Sequence, residues 1–210
     1  QQQISLKVAG GEQFGQVAGV TFDKQIELWG RLGVNVKSAE KAFMNQIEDV
    51  DIKMRFSDRG NTSLKKLGDS VRAAVGESYK VATKQLQSTL PADKLTKFLK
   101  IAATKEDESI ELIKVVGGSF KKAKFGKNFE KNLKERLPNL KIEYERKTDP
   151  IVHIYDPTIS DKQSVKGRLI RISGKYTAES TKTKAGKTYG VYLRNIIEAG
   201  DLLFELATDR

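Results

Sequence analysis

The chain of 210 residues has no cysteine, one histidine, four prolines and one tryptophan. Without cysteine there are no disulfides, no thiolate metal sites and no cysteine nucleophile, and the redox compartment stays open. His153 stands alone inside an apolar stretch, so a histidine metal cluster is impossible. A packed or hydrogen-bonded structural histidine is expected instead. Carboxylates are numerous, but no spacing among them marks an acid–base pair or a calcium loop. A non-enzymatic protein without cofactor or metal is therefore expected. No apolar run approaches the roughly 20 residues of a membrane helix, so membrane insertion is not expected. The opening residues QQQISLKV lack a basic start followed by an apolar segment, and no signal peptide is expected there. These absences suit a soluble protein whose compartment stays open, cytoplasmic or within a virus particle.

Charge is what the chain does have. Lysine and arginine number 38 against 27 acidic residues, giving a net charge of +11. That balance favours a polyanionic partner, DNA or RNA above all, although the interspersed acids also suit an ordinary solvated surface.

Proline is absent from Thr62 to Ser88, where Leu64, Leu67, Val71, Val75, Ser78, Ala82 and Leu86 recur at spacings of three and four. This period predicts one long central helix. Shorter helices are expected over Phe22–Leu32, capped by Thr21 and stopped by Gly33, and over Ala39–Glu48 after Ser38. Another is expected over Ala92–Ala103, with Pro91 at its first turn. Trp29 sits among apolar neighbours at helical spacing and is expected in the core. Val50–Phe56 reads as a strand or a helix end. Gly15 and Gly19 suggest turns and short extended pieces up to Val20.

The charged stretch Thr104–Glu108 suggests a boundary between a mainly helical region, 1–104, and a strand-rich region, 105–210. In the second region Ile110–Val116, Gly117-Gly118-Ser119, a basic loop, a helix Asn128–Leu137 and a strand Leu140–Arg146 read as a βαβ-like unit, with Ile110–Val116 equally able to extend a helix. Ile151–Tyr155 follows, then Val165–Tyr176 and Thr188–Ile197 as a long hairpin with Thr177–Lys187 as its polar tip. Leu202–Ala207 reads as a last apolar strand. The expected fold class is α+β, with the C-terminal strands forming a small barrel or a twisted antiparallel sheet.

Two basic groups are candidate nucleic-acid contacts. In the first, Lys114, Lys121, Lys122, Lys124, Lys127, Lys131, Lys134 and Arg136 stand against Glu130 and Glu135, with Phe120, Phe125 and Phe129 among them. In the second, Lys162, Lys166, Arg168, Arg171, Lys175, Lys182, Lys184, Lys187 and Arg194 interleave with Tyr176, Tyr189 and Tyr192. Cations neutralise phosphates, and exposed rings stack on bases. The bland alternative puts the rings in the core and leaves the lysines as a solvated surface.

Two resemblances bear on these groups. The segment IKVVGGSF…FEKNLKERLP is similar to the last nucleotide-side turn and helix of actin-like sugar-kinase and chaperone ATPases. It implies a phosphate turn at Gly117–Ser119, but that family's acidic strands and early phosphate loops are absent upstream, as are the P-loop and dinucleotide fingerprints. The phrase VKGRLIRIS…KAGKTYGVYLRNI…GDLLFEL resembles the hairpin of OB-type barrels, which implies a face for single strands. The reading that follows is a nucleic-acid-binding protein. The alternative is a structural subunit of a larger assembly, such as a virus or phage particle, with the hairpin as an inter-subunit arm.

Overall fold

The computed structural model describes residues 4–7, 13–19, 22–46, 68–104, 111–116, 119–126, 128–183 and 186–208. The possible strand Val50–Phe56, the first residues of the long helix before Gly68, Gly117-Gly118, Lys127 and Lys184 lie outside the described residues. The described chain is mixed α and β, with two sheets.

The spine is α3, Gly68–Ser88, about 30 Å long at ~1.5 Å per residue. Val71, Ala74, Val75, Ser78, Tyr79, Ala82 and Leu86 are all buried, so the spacing seen in the sequence is the face that enters the core. α1 (Phe22–Arg31) and α2 (Val36–Met44) precede it. α2 begins at Asn35 rather than Ser38, because the Asn35 Oδ1 accepts from the backbone N–H groups of Lys37 (3.1 Å) and Ser38 (3.4 Å). α4 (Ala92–Thr104) follows the spine, with Leu95, Phe98 and Leu99 buried.

The larger sheet has the strand order β2-β8-β7-β6-β5: β2 is Gln13–Gly19, β5 Lys141–Arg146, β6 Pro150–Tyr155, β7 Arg168–Thr183 and β8 Gly186–Ala199. Every pairing in it is antiparallel. Among the described residues it is an open sheet with β2 and β5 at its edges, not a closed barrel. Its inner face is built from register rows such as Ile142–Ile154–Ile170–Ala199 and Tyr144–Val152–Ile172–Ile197. α3 packs against β5, β6 and β7 on that side. A smaller sheet has the order β1-β3-β4, with β1 Ile4–Lys7, β3 Glu111–Val116 and β4 Ser119–Ala123. One hydrophobic cluster runs from Ile26 to Ala207 and takes residues from both sides of position 104.

Five expectations are corrected. Leu202–Ala207 is not a strand but most of α6, Asp201–Ala207. Five of its seven residues are buried, so the run shows no face by which a helix could be told from a strand. β2, read as turns and short extended pieces, is a seven-residue strand that pairs with β8 through a register shift between Gln13 and Gly15. The polar tip Thr177–Thr183 belongs to β7, and its β-branched threonines suit a strand. The basic stretch after Gly118 is β4, paired with β3. Since β3 lies in the smaller sheet and β5 at the edge of the larger, the two do not form a βαβ unit with the helix between them, α5 (Phe129–Arg136).

Candidate functional site

The basic residues read from the sequence divide into three places: the outer face of the larger sheet, the end of the β7–β8 hairpin, and the smaller sheet with its neighbours.

On the outer face the charges compensate one another. One register row runs Glu143–His153–Arg171–Glu198 across β5, β6, β7 and β8. Arg171 Nε donates to Glu198 Oε2. His153, 1% exposed, lies 3.0 Å through Nε2 from Glu145 Oε2. Burial pushes the His153 imidazole below its ordinary value of 6.5. The Glu145 carboxylate opposes that shift, and Lys162 and Arg171 add to it. Lys141 and Lys162 hold the Glu143 carboxyl down to about 2 against its own burial. For Glu145, burial acts upward but is outweighed by hydrogen bonds from Lys147, Gln163 and His153, so the group stays below the usual range. Lys175 Nζ donates to Asp149 Oδ2 at 2.7 Å.

A closed loop, residues 156–167, bounds this face. Buried Asp156 accepts from Thr158 N (2.9 Å) and from Arg136 Nη1 (3.0 Å), and its own N–H donates to the Gly167 carbonyl (2.8 Å). Arg168, expected at a phosphate, is 1% exposed and donates through Nη2 to the Gln163 carbonyl at 2.9 Å. It is part of the loop's foundation. Sequence reasoning missed the Glu143–Glu145–His153–Lys162 cluster because its members come together only through strand register and this loop.

The hairpin end is different. β6 accompanies β7 only as far as Ser173, and β2 accompanies β8 only as far as Leu193. From Thr177↔Tyr192 to Thr183↔Gly186 the two strands pair with each other alone among the described residues. These seven register pairs make a two-stranded arm about 23 Å long at ~3.3 Å per residue. Within it Lys182 stands directly opposite Lys187, and at its base Lys175 stands opposite Arg194. Tyr189 pairs with Ser180, and Tyr176 with Leu193. From Thr177 to Tyr192 the sequence carries Lys182, Lys184 and Lys187 against Glu179 alone. Like charges directly opposite one another in a ladder are destabilising, by up to about 1 kcal/mol. A free-standing hairpin is itself only marginally stable.

In the first basic group, Lys122 and Lys124 are exposed, and Lys121 stands opposite Lys114 in the smaller sheet. Lys131 lies 4.0 Å from Glu135, and Lys134 lies 2.7 Å from Glu130, so α5 carries balanced surface pairs of little energetic consequence. The three phenylalanines part company. Phe120 is 68% exposed, whereas Phe129 is 2% exposed and belongs to the core, not to a stacking surface. Phe125 packs edge-on against Phe129, with ring centroids 4.7 Å apart. Trp29 is fully buried, edge-on to Tyr79.

Among the described residues no group of three or more His, Cys, Asp or Glu side chains is placed to hold a metal, and no helix is long and apolar enough to cross a membrane. The chain matches no family model, and neither a curated protein nor a solved structure matches it.

Proposed function

We propose that this is a non-enzymatic nucleic-acid-binding protein that lays its β7–β8 arm along duplex DNA. Lys182, Lys184 and Lys187 meet phosphates, and Tyr176 and Tyr189 flank the contact. The observation that carries the reading is the Lys182↔Lys187 pair, held in register near the end of a ribbon that leaves the sheet. A like-charged pair in that position gains from a bound polyanion what it loses without one. A two-stranded β-ribbon fits the roughly 12 Å major groove of B-form DNA, whereas the deep, narrow major groove of A-form RNA does not admit it. Arg168, Arg171 and Lys175 leave the contact set, being buried or ion-paired.

The test is the salt dependence of binding to a labelled duplex. Each phosphate contact contributes about 0.9 to the slope of log affinity against log salt, so Lys182→Gln with Lys187→Gln should lower that slope by about 1.8. An unchanged slope would exclude the arm from the interface.

A second reading is favoured by the same ribbon. Beyond Ser173 and Leu193 the outer edges of β7 and β8 have no neighbouring strand among the described residues, which suits an arm that completes a sheet in another subunit of an assembly. Light scattering separates the two, since a monomer in moderate salt rules out self-assembly.

A further inference from the structure

The loop of residues 156–167 reaches across the outer face of the larger sheet, and one carboxylate joins it to the single histidine of the chain. Glu145 Oε2 lies 3.0 Å from His153 Nε2 and also accepts from Gln163 Nε2 of the loop at 3.0 Å. Beside it, Lys162 Nζ lies 3.2 Å from Glu143 Oε2. The ionised Glu145 carboxylate can only accept, so Nε2 carries the proton of the neutral ring and Nδ1 is a bare acceptor. That Nδ1 is buried and has no hydrogen-bond partner. The charged groups around the ring are Glu143 and Glu145 of β5, tied to Lys141 and Lys147, Arg171 of β7 with its partner Glu198 of β8, and Lys162 of the loop. α3 packs on the opposite face of the sheet. The loop is anchored independently at its ends, where Asp156 N donates to the Gly167 carbonyl at 2.8 Å and Asp201 N to the Val165 carbonyl at 2.7 Å.

We propose that this loop is a proton-operated clasp, in which protonation of His153 releases residues 160–164 from the sheet and opens its outer face to water. Protonation turns Nδ1 into a buried N–H on a cation, and no acceptor meets it while the loop is closed. Water satisfies that group only when the cover lifts. Lys162 and Arg171 repel the charged ring, and of the two only Lys162 moves away with the loop. The Glu145 carboxylate attracts the charged ring, but burial outweighs it. Release also withdraws the Gln163 carbonyl from Arg168 Nη2, so the same event reaches a second buried cation. The inference does not rest on the nucleic-acid reading of the arm.

Native-state hydrogen exchange of the full chain, corrected for the chemical rate at each pH, tests the clasp. Glu143, Glu145 and Asp156 are held below the usual carboxylate range, so between about pH 7 and 5 the imidazole is the titrating group. The open loop takes up the proton at the ordinary 6.5 and the closed loop at a lower value. Opening therefore becomes more frequent as pH falls below about 6.5, approaching about tenfold per pH unit, and levels off below the closed value. The reporters are the amides of Lys166 and Gly167, which donate to the hydroxyls of Ser164 and Ser160 inside the released segment. Their protection should fall with that slope. Low urea should leave their exchange unchanged, because local opening exposes little surface, whereas α3 amides follow global unfolding. His153→Gln, which keeps an amide donor for Glu145, should make the protection of both amides independent of pH. Protection that is constant from pH 7 to 5, or that falls equally in His153→Gln, overturns the clasp. Loop amides that exchange only together with α3, with the same urea dependence, overturn it as well.

Discussion

Tyr79 ties the spine helix to the sheet, and removing its hydroxyl isolates one interaction with little loss of packing. The Tyr79 hydroxyl donates to Asn195 Oδ1 across 116 positions of sequence, from the middle of α3 to the inner face of β8. Both residues are fully buried, and burial, reinforced by the Asp149 charge, pushes the Tyr79 phenol well above its ordinary value. The phenol is therefore a neutral donor at neutral pH. Tyr79→Phe keeps the ring against Trp29 and deletes the donor. The net value of such a bond is about 1 kcal/mol, within a range of roughly 0.5–1.5 kcal/mol. For a chain of this size, that lowers the melting temperature by about 2–4 °C per kcal/mol. Urea titration should show a lower midpoint with an unchanged slope, because the surface exposed on unfolding is the same. A loss below about 0.5 kcal/mol would refute the reasoning, since surface substitutions alone give that much.

Three further outcomes follow from the same geometry. A Cβ on Gly200 would collide with the carbonyl of Arg168, where Gly200 N donates to the Leu169 carbonyl at 3.0 Å. Gly200→Ala should cost about 3 kcal/mol or more, read as lost folded protein in thermal melts, because backbone rather than a flexible side chain must move. Gly174 meets the ring of Tyr79, with a Cβ built there 2.8 Å from Cζ; Gly174→Ala should destabilise by about 1–3 kcal/mol in the urea midpoint, and it should do so equally in the Tyr79→Phe background, since Cζ remains. His153 titrates below its ordinary 6.5 in the folded chain, so between those two values the unfolded chain binds more protons. Stability must therefore fall as pH drops below about 6.5 and level off below the folded value. Glu143 and Glu145, held low, lose their contribution only at pH below the ordinary 4.5, so the two windows separate. Urea midpoints between about pH 7 and 5 should decline for the unaltered chain and stay flat for His153→Gln; parallel declines would assign the effect to another group.

The helical half was largely readable because helices are local. The three- and four-residue spacing from Val71 to Leu86 is the buried face of α3, and Trp29 was rightly placed in the core. The hairpin was also readable from its alternation and turn residues, though its polar end was taken for a loop. What failed was non-local or short. α6 was misread because Leu202–Ala207 holds a single polar residue, Glu205, and so shows no clear period, although Asp201 in its first turn and Gly200 before it are helix-start signals. Glycines hid β2, whose partner lies some 180 residues away in β8. The candidate contacts suffered in the same way. Nothing local distinguishes buried Arg168 from Lys182 near the arm's end, because burial and pairing are set by register, and a slip of one residue exchanges the faces.

The most direct test of the arm's role is lysine-acetylation footprinting of the full chain with and without duplex DNA at low salt. The account predicts protection of Lys182, Lys184 and Lys187 by the duplex, lifted again at high salt, while Lys147 on the ion-paired sheet face reacts equally in both samples. Equal modification of the three arm lysines with and without bound duplex would contradict it.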